Sequence, residues 1–119
     1  MDEELYTSIE QSKKLLGLGL SPKSADKCWC TAVKGRPQVV ENQGYNEYGD
    51  FEIPCWGVGS LIKVMPDIIL TKEGPTYGFG HPDSSHITES NSIIEAAYNM
   101  VVWLLENGYI GINNQENIA

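Results

Sequence analysis

Apolar residues recur at helical spacing in three stretches of the chain and at strand spacing in several others. The clearest stretch is Ile93 to Asn107, where Ile93, Ala97, Met100, Val101 and Leu104 make one stripe with Trp103 a turn over. Ser92-Ile93-Ile94-Glu95 before it has the form of a capping box, and Gly108 after it is a left-handed stop. The pattern predicts a helix over 92–107, with Met100 and Trp103 in the core. A shorter run carries Ile9, Leu15 and Leu16; Thr7-Ser8-Ile9-Glu10 opens it as a second capping box, and Gly17 ends it. The third lies between Pro54 and Pro66, where Trp56, Leu61, Ile62 and Met65 form an apolar face. Gly57 and Gly59 each cost about 1 kcal/mol relative to alanine in a helix interior, so tertiary packing must hold its first turn. Ser21-Pro22 predicts a short further helix to about Lys27, from a cap followed by proline at the first position.

Between the helices, Cys28 to Val33 and Gln38 to Glu41 read as strands around the turn Gly35-Arg36-Pro37. Asp67 to Lys72 and Thr76 to Gly80 flank Glu73-Gly74-Pro75 as a hairpin, with Tyr77 and Phe79 on one face by period two. Asn42 to Glu52 has no periodicity and reads as a long loop. The segment from Gly111 is polar, so the chain divides into one domain over 1–110 and a frayed tail over 111–119. The expected fold is α+β: a small, mostly antiparallel sheet containing the 67–80 hairpin, covered on one face by helices near 8–16, 55–65 and 92–107. A length of 119 residues and an apolar share of 41% suit one such domain with a real core.

Charge narrows the partners. Sixteen acidic residues against eight basic ones give a net charge of −8, which opposes binding to phosphate backbones. The basic residues are scattered, with Lys13-Lys14 the one adjacent pair. Met1-Asp2-Glu3-Glu4 is acidic where a secretory leader is basic, and no apolar run approaches the roughly 20 residues that span a bilayer. Three cysteines, an odd number, suit a compartment that keeps thiols reduced. The expectation is a cytoplasmic protein that binds neither nucleic acid nor membrane.

Candidate chemistry centres first on Cys55. A thiol at a helix start is activated by the helix dipole, and the Cys55-Trp56 pair resembles that of papain-like enzymes, with His81 and His86 following in the right chain order. The Cys-Gly-Ser or Cys-Gly-Ala that leads into the cysteine of papains is absent, as is the Cys-Ser-Gly of small cell-wall peptidases, and a thiol buried beside a buried tryptophan accounts for the pair. Metal is the second candidate. Cys28 and Cys30 would share a strand face, and His81 and His86 have zinc-like spacing. Cys-x-Cys is nevertheless not a zinc knuckle, and the two halves are far apart in sequence, so no metal and no cofactor are expected. Gly17-Leu18-Gly19 and Gly57-Val58-Gly59 lack the strand, long helix and Gly-Lys-Ser/Thr of phosphate loops. Tyr45, Tyr48 and Phe51, interleaved with Glu47, Asp50 and Glu52, form a candidate binding loop suited to a basic protein surface. The reading that follows is a small non-enzymatic protein-binding or accessory protein, whose partner is another protein or a second copy. The alternative is a cysteine-dependent hydrolase using Cys55 with His81 or His86.

Several of these residues together resemble a family of small uncharacterised proteins of gut-bacterial genomes and their prophages and mobile elements. They are Ile9 to Leu16 leading into Gly19-Leu20, then Ala25-Asp26, then Pro54-Cys55-Trp56 with Gly59 and Met65-Pro66, and Ala97 with Met100 and Trp103-Leu104. The likeness spans most of the chain and fails from Gly35 to Phe51; Gly57 stands where the family often has serine. The resemblance implies a bacterial or phage accessory protein inside the cell. It brings no activity, cofactor or catalytic residue.

Overall fold

The computed structural model describes residues 5–30, 38–41, 52–82 and 85–110. Within them the chain is α+β, as the patterns predict, with helices α1 (Ile9–Gly17), α2 (Val58–Val64) and α3 (Ile93–Glu106). Strands β1 (Lys27–Cys30), β2 (Gln38–Glu41) and β3 (Glu52–Cys55) form one antiparallel sheet in the order β2-β1-β3. Strands β4 (Ile69–Glu73), β5 (Thr76–Gly80) and β6 (Ile87–Ser90) form a second, in the order β4-β5-β6. The strands are therefore split between two small sheets, where the sequence pattern suggested one. The segment from Trp56 to Ile68 explains the split: it turns the chain through α2 and lays the hairpin down away from β3.

Local signals place most element ends within a residue or two. Ser8, not Thr7, caps α1; its hydroxyl accepts from Gln11 N–H while the Gln11 side chain accepts from Ser8 N–H. The stop falls at Gly19 (φ +99°), not Gly17, because Gly19 N–H and Leu20 N–H donate back to Leu16 and Leu15 carbonyls. That places Leu20 in the core. Ser21-Pro22 opens a single 3₁₀ turn, Pro22–Ser24, which is shorter than the helix expected there. Ser92 caps α3 by accepting from Glu95 N–H, and Gly108 (φ +77°) closes it.

The core gathers one stripe from each helix. Leu15, Leu61, Met100, Val101 and Leu104 are all fully buried, together with Trp56 and Phe79. Helix α3 lies across β5 and β6, with Phe79 and Tyr77 against it, and Thr88 Oγ1 donates to Ala96 O at 2.8 Å to pin the helix to β6. Tyr77 and Phe79 thus share a face, as their spacing predicts.

A knot of polar groups at Thr7 joins the first sheet to α1 and α2. Thr7 is 0% exposed, and each of its polar atoms is used. Its N–H donates to Trp56 O (2.9 Å), and its carbonyl accepts from Trp29 Nε1 (2.8 Å). Its hydroxyl accepts from Trp56 N–H (3.0 Å) and shares a hydrogen bond with Ser12 Oγ (2.8 Å). Beside it, Asp26 accepts from Gly57 N–H and from the Ser60 hydroxyl, both at 2.9 Å, and so holds the start of α2. That start has no cap of its own, because Gly57 has no side chain. A Cβ on Gly57 would come within 3.1 Å of both Asp26 Oδ2 and Tyr6 Cε1, so glycine is what lets these groups approach.

Thr7→Val keeps the volume but leaves the buried Trp56 N–H and the Ser12 hydroxyl without this acceptor. A loss of about 1–3 kcal/mol is expected from urea unfolding, whereas Thr7→Ser should retain most of the stability. Equal stability of Thr7→Val and wild type would show that the knot does not hold the domain together.

Candidate functional site

Cys55 is the last residue of β3, three positions before α2, and is not at a helix start. It is 0% exposed, and burial pushes its thiol up to about 12; Cys28 and Asp26 add to the rise and Lys27 opposes it. No imidazole is among the groups acting on it. An activated nucleophile needs the opposite environment, with positive charge lowering the thiol. His81 and His86 belong to the β5–β6 connection of the second sheet, whereas Cys55 is in the first. The three residues of the hydrolase candidate are therefore not brought into one constellation.

The metal candidate divides in the same way. Cys28 and Cys30 are alternate residues of β1 and share a face, as expected, with Cys28 buried and raised to about 11 by burial, then by Glu52 and Cys30. Their register partners are Pro54 and Glu52 of β3. The two histidines lie on the other sheet, and no group of three or more His, Cys, Asp or Glu side chains is placed to share an ion among the described residues. Tyr45, Tyr48 and Phe51, the candidate binding loop, lie outside the described residues, as does the tail from residue 111.

What the fold assembles instead is a cleft beside a cluster of rings. In the second sheet, Ile69, Gly80 and Ile87 are directly opposite one another across the three strands, and Thr71, Gly78 and Glu89 make the next row. These rows form the face turned away from α3. A Cβ at Gly78 would sit 2.6 Å from Thr71 Oγ1, so any larger residue there would push the exposed Thr71 side chain aside. Gly80 leaves a gap between the two isoleucines. The gap is the floor of a cleft of about 180 Å³, with Thr71 on one side and His81, Pro82 and Ser85 at its end. A second cleft, of about 530 Å³, lies between Tyr6 and β2, beside the Lys27–Glu41 ion pair. It gathers none of the sequence-predicted site residues.

His81 is the unusual residue of the smaller cleft. It is 5% exposed, and its Nδ1 is buried without a hydrogen-bond partner among the described residues. Leaving such an atom unpaired costs about 1–3 kcal/mol. Aromatic contacts hold its ring: the centroid is 4.3 Å from Tyr109 and 6.0 Å from Trp103. His86 stacks on Trp103 at 4.2 Å with the planes 7° apart, and Tyr109 stacks on the same indole at 5.4 Å. The closing motif of α3 positions Tyr109, whose N–H donates to Leu104 O at 2.9 Å. Trp103 is thus a half-buried platform at the core's edge and not a fully buried core residue, whereas Met100 is fully buried as expected. The His81–His86 spacing marks both residues as notable, but nothing in the sequence announces that they meet Trp103 and Tyr109.

The cysteine environment carries a pH prediction. Unfolding frees the Cys55 thiol to ionise near its ordinary value of 9.0, while the folded protein holds it protonated to about 12. Above pH 9 the unfolded state therefore binds fewer protons than the folded state, and stability falls as pH rises through this window. Cys55→Ala should flatten the decline between about pH 9 and 12 in chemical unfolding, and native Cys55 should resist alkylation at neutral pH. An unchanged slope with rapid labelling would overturn this account of the thiol.

No described helix is long and apolar enough to cross a membrane. In comparisons with protein-family models, with curated proteins and with solved structures, the chain matches none of them, and the geometry alone bears on its function.

Proposed function

We propose that the protein is a small, non-enzymatic binding or accessory protein of the bacterial cytoplasm, of the kind carried by prophages and mobile elements. Its surface for another protein is the open side of the β4-β5-β6 sheet. One observation carries the reading: all five residues of β4 are exposed, Ile69 (54%) and, across the sheet, Ile87 (59%) present apolar side chains on the open face, and Leu70 (49%), in the Phe79 row on the other side, is exposed along the same edge strand. Strand β4 pairs with β5 alone among the described residues, so its other edge offers a row of backbone donors and acceptors. Strand addition at such an edge uses backbone hydrogen bonds for affinity and alternate side chains for specificity. Lys72 and Glu73, also exposed, guard the edge against indiscriminate pairing. Glu73 and Glu89 on the outer face, with the net charge of −8, favour a partner with basic groups around its contact. The buried, upshifted Cys55 lends no support to a cysteine hydrolase.

A double variant, Ile69→Lys with Leu70→Lys, tests the reading. Both side chains are about half exposed, so unfolding stability should stay within roughly 1 kcal/mol of wild type. A complex formed by the wild-type protein, with itself in sedimentation or with a host protein in cross-linked affinity purification, should be lost in the variant. An unaltered complex, or a hydrolytic activity abolished by Cys55→Ala, would refute the proposal.

A further inference from the structure

Strand β4 carries charge as well as apolar area along its open edge, and the order of its side chains says what kind of strand can lie against it. Its residues alternate between the two sides of the sheet. Ile69, Thr71 and Glu73 belong to the side turned away from α3, in the rows of Gly80, Gly78 and Thr76. Leu70 and Lys72 belong to the other side, in the rows of Phe79 and Tyr77. The Lys72 ammonium lies 5.3 Å from the Tyr77 ring centroid, which keeps its charge on that side. Each side of the edge is thus apolar at its start and charged toward its end, negative at Glu73 and positive at Lys72. Alternate residues of an antiparallel strand turn their backbone groups to the same neighbour, so the free edge keeps donors and acceptors for one more strand.

A second copy fits this edge badly. Two β4 strands paired antiparallel about Thr71 set Ile69 against Glu73 and Leu70 against Lys72, an apolar side chain facing a charge in every flanking pair. Centred on Lys72, they put two lysines opposite one another, which destabilises the pairing. Centred on Leu70, they pair only Ile69 to Thr71 and leave Lys72 and Glu73 outside the ladder. Larger shifts pair fewer residues still. The net charge of −8 on each copy opposes all of these arrangements.

We infer that β4 receives an antiparallel strand of a different protein, with a basic residue opposite Glu73, an acidic residue opposite Lys72 and apolar residues opposite Ile69 and Leu70. This rests on reading β4 as an interface. Antiparallel order continues that of β4-β5-β6 and is the more stable arrangement per residue. Opposite charges in directly opposed pairs add to the stability of a sheet and like charges subtract from it. Lys72 and Glu73 therefore reject strands of the wrong pattern, while the backbone bonds hold the right one. Threonine opposite Thr71 completes the set, since paired threonines hydrogen-bond across strands. In the partner's own direction the pattern is basic, acidic, threonine, apolar, apolar. Its alternate residues divide between the two sides of the sheet, as strand addition requires.

The probes are a pair of cyclic β-hairpin peptides that differ only in the order of the first residues of one strand. One carries the matching pattern, Arg-Glu-Thr-Val-Val, and the other the swapped pattern, Glu-Arg-Thr-Val-Val. Cyclisation presents that strand already extended, which lowers the ordering cost of binding. Titrated into ¹⁵N-labelled protein, the matched peptide should shift the amides of Ile69 to Glu73. It should bind roughly three- to tenfold more tightly than the swapped one, as the charge pairs at Lys72 and Glu73 imply. The variant Lys72→Glu with Glu73→Lys should reverse the preference; both side chains are exposed, so the fold is retained. Equal binding of both peptides by wild type, an unreversed preference in the variant, or no shifts in β4 with either peptide would each overturn the assignment. Wild-type dimers in sedimentation that Ile69→Lys with Leu70→Lys dissolves would also overturn it, because the occupant would then be a second copy. In that case β4 remains an interface and only its partner is misassigned, whereas a complex untouched by that variant removes the interface itself. A preference that inverts with the charges of Lys72 and Glu73 supports the assignment.

Discussion

A fully buried threonine organises this domain. Thr7 precedes the first helix, yet its three polar groups are spent on Trp56, Trp29 and Ser12, residues from three other parts of the chain. A hydrogen bond adds only about 1 kcal/mol net to stability, but an unmade one in the interior costs more. Such a knot therefore works mainly by exclusion: any arrangement that misplaces one of the four segments strands several buried polar groups at once. The position of Cys55 follows from this. With Trp56 tied to Thr7 through both N–H and C=O, the residue before it is drawn to the end of β3 and sealed from solvent.

The same anchoring separates the two sheets. Asp26 reaches from the turn before β1 to the first residues of α2 and supplies the acceptor that Gly57 lacks. The helix then leads away from β3, and the hairpin begins on the far side of Met65, itself buried. Helix α3 covers β5 and β6 and leaves β4 outside its shadow, which is why every β4 residue is exposed although its sequence, Ile69-Leu70-Thr71-Lys72-Glu73, starts apolar. The outer face carries glycine twice in its central strand, one position closed over by Thr71 and the other open as a cleft floor.

The ring cluster joins the end of α3 to the β5–β6 connection. His86 and Tyr109 take opposite roles on Trp103, one brought by a strand connection and the other by a helix stop. His81 donates its backbone N–H to His86 O at 3.3 Å, so the two histidines are set together by the connection itself. Stacked rings tolerate a polar edge as long as it has a partner. Among the described residues one imidazole edge lacks it, whereas their other buried side-chain polar atoms are paired. An unpaired buried group of that kind is uncommon in folded proteins and costs about 1–3 kcal/mol.

Periodicity and caps determined α3, the hairpin and the α+β class, because these depend on contacts between residues close in the chain. Ser92, Gly108 and the stripe from Ile93 to Leu104 act within one helix, and Gly74 (φ +60°) acts within one turn. Small errors, Ser8 for Thr7 and Gly19 for Gly17, arose where neighbouring residues offered equivalent local chemistry; in each case the long-range demand decided, since Thr7 was needed inside and Leu20 had to reach the core. The chemistry of the candidate residues was not legible in this way. Cys55 beside a tryptophan near a helix looks the same in sequence whether the thiol is activated or sealed, and only the burial imposed by β1, β3 and α2 separates the two. His81 and His86 carried a spacing that suggested a ligand pair, but their actual neighbours, Trp103 and Tyr109, come from the end of α3, and the cleft beside them needs three strands in register. Local sequence sets which elements form; which side chains share a site is set by packing between elements, and that is decided only when the chain has closed on itself.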